Sequence, residues 1–212
     1  VLSERLVARG LGFVVGEKAT RLRHPPLQKA QRDKRLRRGI EREGSIMDAI
    51  LTRRSIRRYT AQPVAEELIT GFLKAAMAAP SAGNEQPWEF VVLTERTILD
   101  RIPSFHPYAA MLKEAPAAIL VCGDLAREKH EGYWVQDCSA ATENILIAVN
   151  EKGLGAVWLG IYPREERVRG LRQLLSIPET IVPFALVAIG YPAEKKEPAD
   201  RFDASRLHYN SW

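Results

Sequence analysis

Between Tyr133 and Glu151 the chain carries Cys138, Ser139, Ala140, Ala141, Ile145, Leu146, Ala148 and Val149, which makes a helix of this stretch small or apolar nearly all the way round. A helix without a polar face has to be covered on every side. That requirement constrains the fold more than any other feature, because the rest of the chain, or a second copy of it, must wrap this segment. A length of 212 residues is enough to bury a core and fits one domain, or one domain with an appendage.

The flanking sequence supplies elements of both kinds. Ser45 is placed to cap a short helix through Ile46, Ala49 and Ile50. A second helix is predicted from about Pro63, with Leu68, Ile69, Phe72, Leu73 and Ala76 on one face and Pro80 ending it. Trp88 to Leu93 reads as a strand, Ile98 to Ile102 as a short helix, and Ala117 to Cys122 as an apolar strand bounded by Pro116 and Gly123-Asp124. Gly153-Leu154-Gly155 closes the long helix. Beyond it come a strand over Ala156 to Leu159, a surface helix over Glu165 to Leu175 and a strand over Phe184 to Ile189. Helices and strands interleave, giving an α+β chain. The segment after Pro192 is polar, yet it carries Phe202, Leu207, Tyr209 and Trp212, which are expected to dock on a neighbouring surface.

The net charge of +5 raises the question of nucleic acid, but residues 1–45 hold 12 Lys/Arg against 5 Asp/Glu and the remainder 19 against 21. The body is therefore slightly acidic. A basic tail is weaker evidence for nucleic acid than a basic face on a folded domain. Residues 1–45 are expected to be disordered or loosely helical, or to reflect a mis-set start, since Met47 opens the first convincing helix; residues 46–212 form the domain. The piece Gly12-x-x-x-Gly16-Glu17-Lys18 lacks the Gly-Lys adjacency of a phosphate loop. The apolar runs around Ala115 to Cys122 and Ile181 to Gly190 fall short of the roughly 18 residues of a membrane helix. Cys122 and Cys138 lack C-x-x-C spacing, which suits a reducing cytoplasm.

Two segments carry chemistry. Arg53-Arg54-Ser55-Ile56-Arg57-Arg58 places four guanidinium groups and a hydroxyl within six residues, a pattern matched either by a phosphate or by a solvated charge run. Ala79-Pro80-Ser81-Ala82-Gly83-Asn84-Glu85-Gln86-Pro87-Trp88 is by composition a turn. In this order and spacing the two resemble the FMN-dependent nitroreductase family, over about Ile46 to Trp212. Gly155-Ala156-Val157-Trp158-Leu159-Gly160 supplies a third matching segment.

The resemblance implies a nitroreductase-like fold, with a central mixed β-sheet surrounded by helices, in a homodimer whose C-terminal tail embraces the partner. It implies FMN, with Arg53 and Ser55 at the ribityl phosphate and Arg57 by the pyrimidine edge. Arg54 is a further candidate in the same signature, Ser81 and Asn84 offer side chains to the ribityl hydroxyls and pyrimidine oxygens, and Pro80 stands with them in the cofactor-binding loop. It places Trp158, Leu159 and Gly160 against one face of the ring, with a backbone N–H near N5. Arg201 is implied as a returning basic residue, with Arg206 as the alternative. The implied activity is hydride transfer from NADH or NADPH to a nitroaromatic, quinone or similar acceptor by a ping-pong scheme needing no catalytic side chain. A dehalogenating or flavin-fragmenting relative, an FMN carrier or sensor without turnover, and a basic tail tethering the domain to nucleic acid or an anionic surface are the alternatives. His24, His106, His130 and His208 are scattered, and no Gly-x-Ser-x-Gly elbow occurs, so metal and serine-hydrolase chemistries have no motif.

Overall fold

The computed structural model describes residues 46–212; the expectations placed on residues 1–45 lie outside the described residues. Five α-helices are described: α1 (Ile46–Thr52), α2 (Glu66–Met77), α3 (Arg96–Leu99), α4 (Trp134–Glu151) and α5 (Glu165–Leu175). Four strands, β1 (Trp88–Leu93), β2 (Ala117–Asp124), β3 (Gly155–Gly160) and β4 (Ile181–Gly190), form one sheet in the order β1-β2-β4-β3.

Side-chain alternation assigns each strand residue to one of two layers. Ile119, Val121, Val187, Ile189 and Ala156 point to the face covered by α2 and α4, where they meet Phe72, Cys138, Ala141, Ile145 and Val149. Leu120, Cys122, Leu186, Ala188, Val157 and Leu159 point the other way, onto Leu99, Ile102, Leu112 and Leu171. Both faces being covered is why β2 and β4 read as unbroken apolar runs.

The long helix is covered as its composition requires: from Trp134 to Asn150 only Gln136 is exposed. Much of that cover comes from the chain's own α2 and sheet. An open groove remains among α1, α2 and α4, lined mainly by Ile46, Ile50, Ala75, Ala78, Ile147 and Ala148, with Asn144 and Glu151 beside them.

All three strand pairings are antiparallel, where the resemblance implies a mixed sheet. Among the described residues the parallel element is the isolated bridge between Ser55 and Ala156. The second helix also begins later than expected, at Glu66, with Ala65 extended at φ −62° and ψ 144°. Pro63 thus precedes the helix instead of opening it, and Glu66 and Glu67 fill the first turn, where negative charge suits the helix dipole. Pro183 lies inside β4 because the ladder is irregular there: Val121 faces Ala185, and Cys122 faces Pro183. Phe184 is the extra residue of this bulge. Its carbonyl turns to accept the N–H groups of Ile161 and Tyr162 at 3.1 and 3.0 Å.

Candidate functional site

The Arg53–Arg58 segment is laid against the edge of the sheet by its backbone. The Ile56 N–H donates to the Ala156 carbonyl at 3.0 Å, and the Thr60 N–H to the Tyr191 carbonyl at 2.9 Å. Upstream, Asn150 Nδ2 donates to the Ala49 carbonyl at 2.8 Å and to Thr52 Oγ1 at 2.9 Å, tying the end of α1 to α4. Gly155 permits the close approach, since a Cβ there would lie 2.7 Å from Ile56 Cβ and Cγ2.

Anchored this way, the arginines divide by partner. Arg53 Nε lies 3.4 Å from Glu143 of α4, and Arg58 Nε 2.9 Å from Glu114. Arg54 donates through Nε to the Glu197 carbonyl at 2.9 Å and through Nη1 to the Arg53 carbonyl at 2.5 Å, leaving Nη2 buried without a partner. The Arg57 N–H donates to Glu194 Oε1 at 2.5 Å. Among the described residues the Arg57 guanidinium makes no hydrogen bond or ion pair. It lines a cavity of about 420 Å³ with Trp158, Leu159, Gly160, His106, Tyr108 and Arg167.

Three of the expected site residues therefore meet Arg57 in one cleft. Trp158 is held from behind by Phe184, ring centroids 5.9 Å apart and edge-on, and Phe184 in turn packs on Trp134 at 5.8 Å. Gly160 ends the edge strand, and a Cβ built on it would meet nothing within 4 Å. Successive residues of a strand point their N–H and C=O groups to alternate sides. The Ala156 carbonyl faces outward to Ile56 and the Ile161 N–H faces inward to Phe184. The N–H groups of Trp158 and Gly160 consequently face outward, on the side away from β4.

The loop from Pro80 to Gln86 is fastened elsewhere. Its Ala82 N–H donates to Asp137 Oδ1 at 3.0 Å, the Gln86 N–H to Ser81 Oγ at 3.0 Å, and Gln86 Nε2 to Asn84 Oδ1 at 3.0 Å. Glu85 is buried, and its Oε1 accepts the N–H groups of Lys129 and His130, both at 2.8 Å. Asn84 and Gln86 have φ of 55° and 50°, and Gly83 of 52°. Asp137, which holds this loop, and Glu143, which holds Arg53, are six residues apart on α4. At 1.5 Å and about 100° per residue that is roughly 9 Å along the axis and about 120° around it. Among the described residues no hydrogen bond or ion pair joins Pro80, Ser81 or Asn84 to the Arg53–Arg58 segment. Arg201 is exposed on the tail, and Arg206 pairs with Asp203 at 3.3 Å.

Several residues at the site have no signature in the sequence. Lys196 Nζ donates to the Ser55 carbonyl at 2.7 Å, and its neighbour Glu194 receives the Arg57 N–H. His106 and Arg167 both contact the Gly160 carbonyl, at 3.1 and 2.7 Å. Burial first, then the Arg167 charge, push the His106 imidazole below its usual pKa. The Lys195-Lys196 pair just past a strand is the one hint the sequence offers. Among the described residues no group of three His, Cys, Asp or Glu side chains could hold a metal ion, and no helix is long and apolar enough to cross a membrane.

Comparison with known proteins adds independent findings. The model of the Nitroreductase family matches residues 50–105 and 103–191. A protein of Methanothermobacter thermautotrophicus, provisionally named NADH dehydrogenase/NAD(P)H nitroreductase, is 53% identical over 167 residues, covering 79% of this chain and 87% of that protein. A crystal structure from Clostridium acetobutylicum, provisionally named an NADH oxidase, is 46% identical with a TM-score of 0.76, covering 78% of this chain and 100% of the other. A crystal structure from Desulfovibrio desulfuricans, provisionally named a nitroreductase and in complex with FMN, is 32% identical with a TM-score of 0.70, covering 80% and 99%.

Proposed function

The chain belongs to the nitroreductase family, and on that premise we propose that it is an FMN-dependent oxidoreductase passing hydride from NADH or NADPH to a nitroaromatic, quinone or similar acceptor. The observation that carries the reading is one cleft holding an unpartnered Arg57 guanidinium beside the open backbone of Gly160. The residues fit the cofactor in three respects. Arg54 Nη2 is a buried donor lacking an acceptor, a costly arrangement that a phosphate oxygen relieves. The space over Gly160 admits a flat ring at van der Waals distance from the backbone. Arg57 offers fixed positive charge to the pyrimidine edge of such a ring.

When bound, FMN supplies the two-electron chemistry at its N5. The chain's own residues do the rest. Arg53, Arg54 and Ser55 hold the phosphate end, and Arg57 favours negative charge on the ring by its unneutralised guanidinium. Trp158 and Leu159 wall one side, and the outward N–H of Gly160 is the donor available to N5. Nicotinamide and acceptor take turns in the same cleft, so ping-pong kinetics are expected. Pro80, Ser81, Asn84 and Arg201 are not among the residues lining the Arg57 cleft. We infer that they complete the cleft of a second copy in a homodimer, with the exposed Phe202, Leu207, Tyr209 and Trp212 docking there.

The test is direct. The purified protein should be yellow, release FMN on heating, and lose its absorbance at about 450 nm on anaerobic addition of NADH or NADPH. A colourless protein that takes up no FMN overturns the proposal; bound FMN that neither nicotinamide bleaches converts it to a carrier. Arg57→Glu should weaken FMN binding and slow bleaching.

A further inference from the structure

We propose that His106 and Arg167 are positioning residues that fix the direction of the Gly160 backbone at the open end of β3, and thereby the donor presented to the cofactor. The proposal rests on the reading of the cleft as an FMN site. The peptide joining Gly160 to Ile161 is gripped from both sides. Its carbonyl accepts from His106 Nε2 at 3.1 Å and Arg167 Nη1 at 2.7 Å, and its N–H donates to the Phe184 carbonyl at 3.1 Å. Two side-chain donors on one strand-end carbonyl exceed what backbone satisfaction requires. Glycine is the residue whose ψ drifts most freely, and Gly160 has no Cβ contact to steady it. Holding this peptide plane keeps Gly160 extended, so its own N–H stays turned outward.

The two donors arrive from separate elements, which makes the grip a built feature. Arg167 projects from the first turns of α5 and lies 5.5 Å over the Tyr108 ring. His106 follows the short 3₁₀ turn Ile102–Ser104 and is 1% exposed. A carbonyl only accepts, so His106 Nε2 carries the proton, and Nδ1 is then free to accept the Tyr108 N–H at 3.3 Å. The neutral imidazole satisfies both contacts at once. Burial and the Arg167 charge favour that neutral form.

Arg167→Met keeps the aliphatic stem and removes the donors, and Arg167→Lys restores one. His106→Gln retains a donor amide, whereas His106→Leu abolishes it. Three quantities are read: FMN affinity by flavin fluorescence, the reduction rate at saturating NADH, and amide hydrogen exchange over Leu159–Tyr162 in FMN-free protein. For Arg167→Met, compared at FMN concentrations that saturate each protein because Arg167 itself lines the cleft, the expected result is reduction slowed about tenfold or more and exchange about tenfold faster. Lysine at 167 and glutamine at 106 should recover most of both losses. Unchanged exchange in Arg167→Met overturns the grip, whatever the flavin does. Faster exchange with reduction within about twofold of wild type overturns the positioning role and leaves a strand cap. Failure of wild-type protein to take up FMN overturns the cofactor reading and with it the role assigned to the donor, a result separate from the exchange outcome.

Discussion

Lys196 Nζ donates to the Ser55 carbonyl at 2.7 Å, joining residues 141 apart in the chain. Around this contact the segment leaving β4 is tied back over the arginine cluster. Glu194 Oε1 takes the Arg57 N–H at 2.5 Å and lies 3.2 Å from Lys196, and the Glu197 carbonyl takes Arg54 Nε. The proposed phosphate end is thus roofed by the chain's own late residues.

Lys196→Met should loosen that roof and raise the FMN dissociation constant severalfold, about what losing one hydrogen bond of 0.5–1.5 kcal/mol predicts. The contact is acid-sensitive. The Arg57 N–H, with help from Lys196, holds the Glu194 carboxyl below its ordinary pKa of 4.5. A lowered folded value contributes stability above the ordinary pKa and loses it as pH falls through the folded one. FMN retention measured from pH 7 downward should therefore decline in acid, and Glu194→Gln should flatten that decline. Identical profiles would remove Glu194 from the roof.

Gly155→Ala tests whether the arginine segment needs its present closeness to β3. A Cβ at 155 would stand 2.7 Å from two Ile56 carbons, and crowding of that kind costs about 1–3 kcal/mol. Denaturant unfolding should show the loss, with FMN affinity falling alongside. Ile56→Ala in the same chain removes the Cγ atoms and should return part of it, so that the two changes are non-additive.

Elements with a periodic apolar face are legible in the sequence: α4 from its small and apolar circumference, α5 over Glu165 to Leu175, and all four strands to within a few residues. Of the residues singled out through local motifs, Arg57, Trp158, Leu159 and Gly160 line one cleft, and Pro80, Ser81, Asn84 and Arg201 are not in its lining. Whatever depends on distant pairing is not. Strand direction follows from topology, so in place of the mixed sheet of the resemblance there are, among the described residues, antiparallel ladders with one parallel bridge at Ser55. His106 and Arg167 belong to no local pattern; they matter because one carbonyl brings both to the same place. Pro63 misleads because proline suits both a helix's first turn and the extended approach to it.

Asp137 anchors the Pro80–Gln86 loop by accepting the Ala82 N–H at 3.0 Å, while its Oδ2 is buried without a partner. Burial pushes its carboxyl up from the ordinary 3.8, and the Ala82 hydrogen bond only partly opposes this. A raised folded value means that the contribution to stability is full below the ordinary pKa and is lost as pH rises through the folded one. Asp137→Asn keeps an acceptor for Ala82 and removes the buried charge, so it should match or exceed wild-type stability at pH 7. Asp137→Ala leaves the Ala82 N–H unpaired and should cost about 1–3 kcal/mol. Urea midpoints at pH 4 and pH 7 check both, and an Asn variant as weak as the Ala variant would show that the charge itself is required.

Tyr59 fastens the arginine segment to the centre of the sheet. Its buried hydroxyl has one proton to share between the Ile56 carbonyl at 2.6 Å and the Ala188 carbonyl at 3.2 Å. Burial drives the phenol above its ordinary pKa of 10, with the Arg57 charge pulling the other way. Ionisation would place a negative oxygen against two carbonyl oxygens with no donor. The sign follows: the folded state is favoured below the ordinary value and loses that advantage as pH rises through the folded one. Tyr59→Phe should cost about 0.5–1.5 kcal/mol at pH 8 through the lost hydrogen bond. Above about pH 10 the wild type should weaken with each step in pH while the Phe variant is spared this contribution, so the gap between them narrows. Denaturant midpoints of both proteins from pH 8 to 11 measure that gap, and a constant gap would mean that the phenol does not titrate against these two carbonyls.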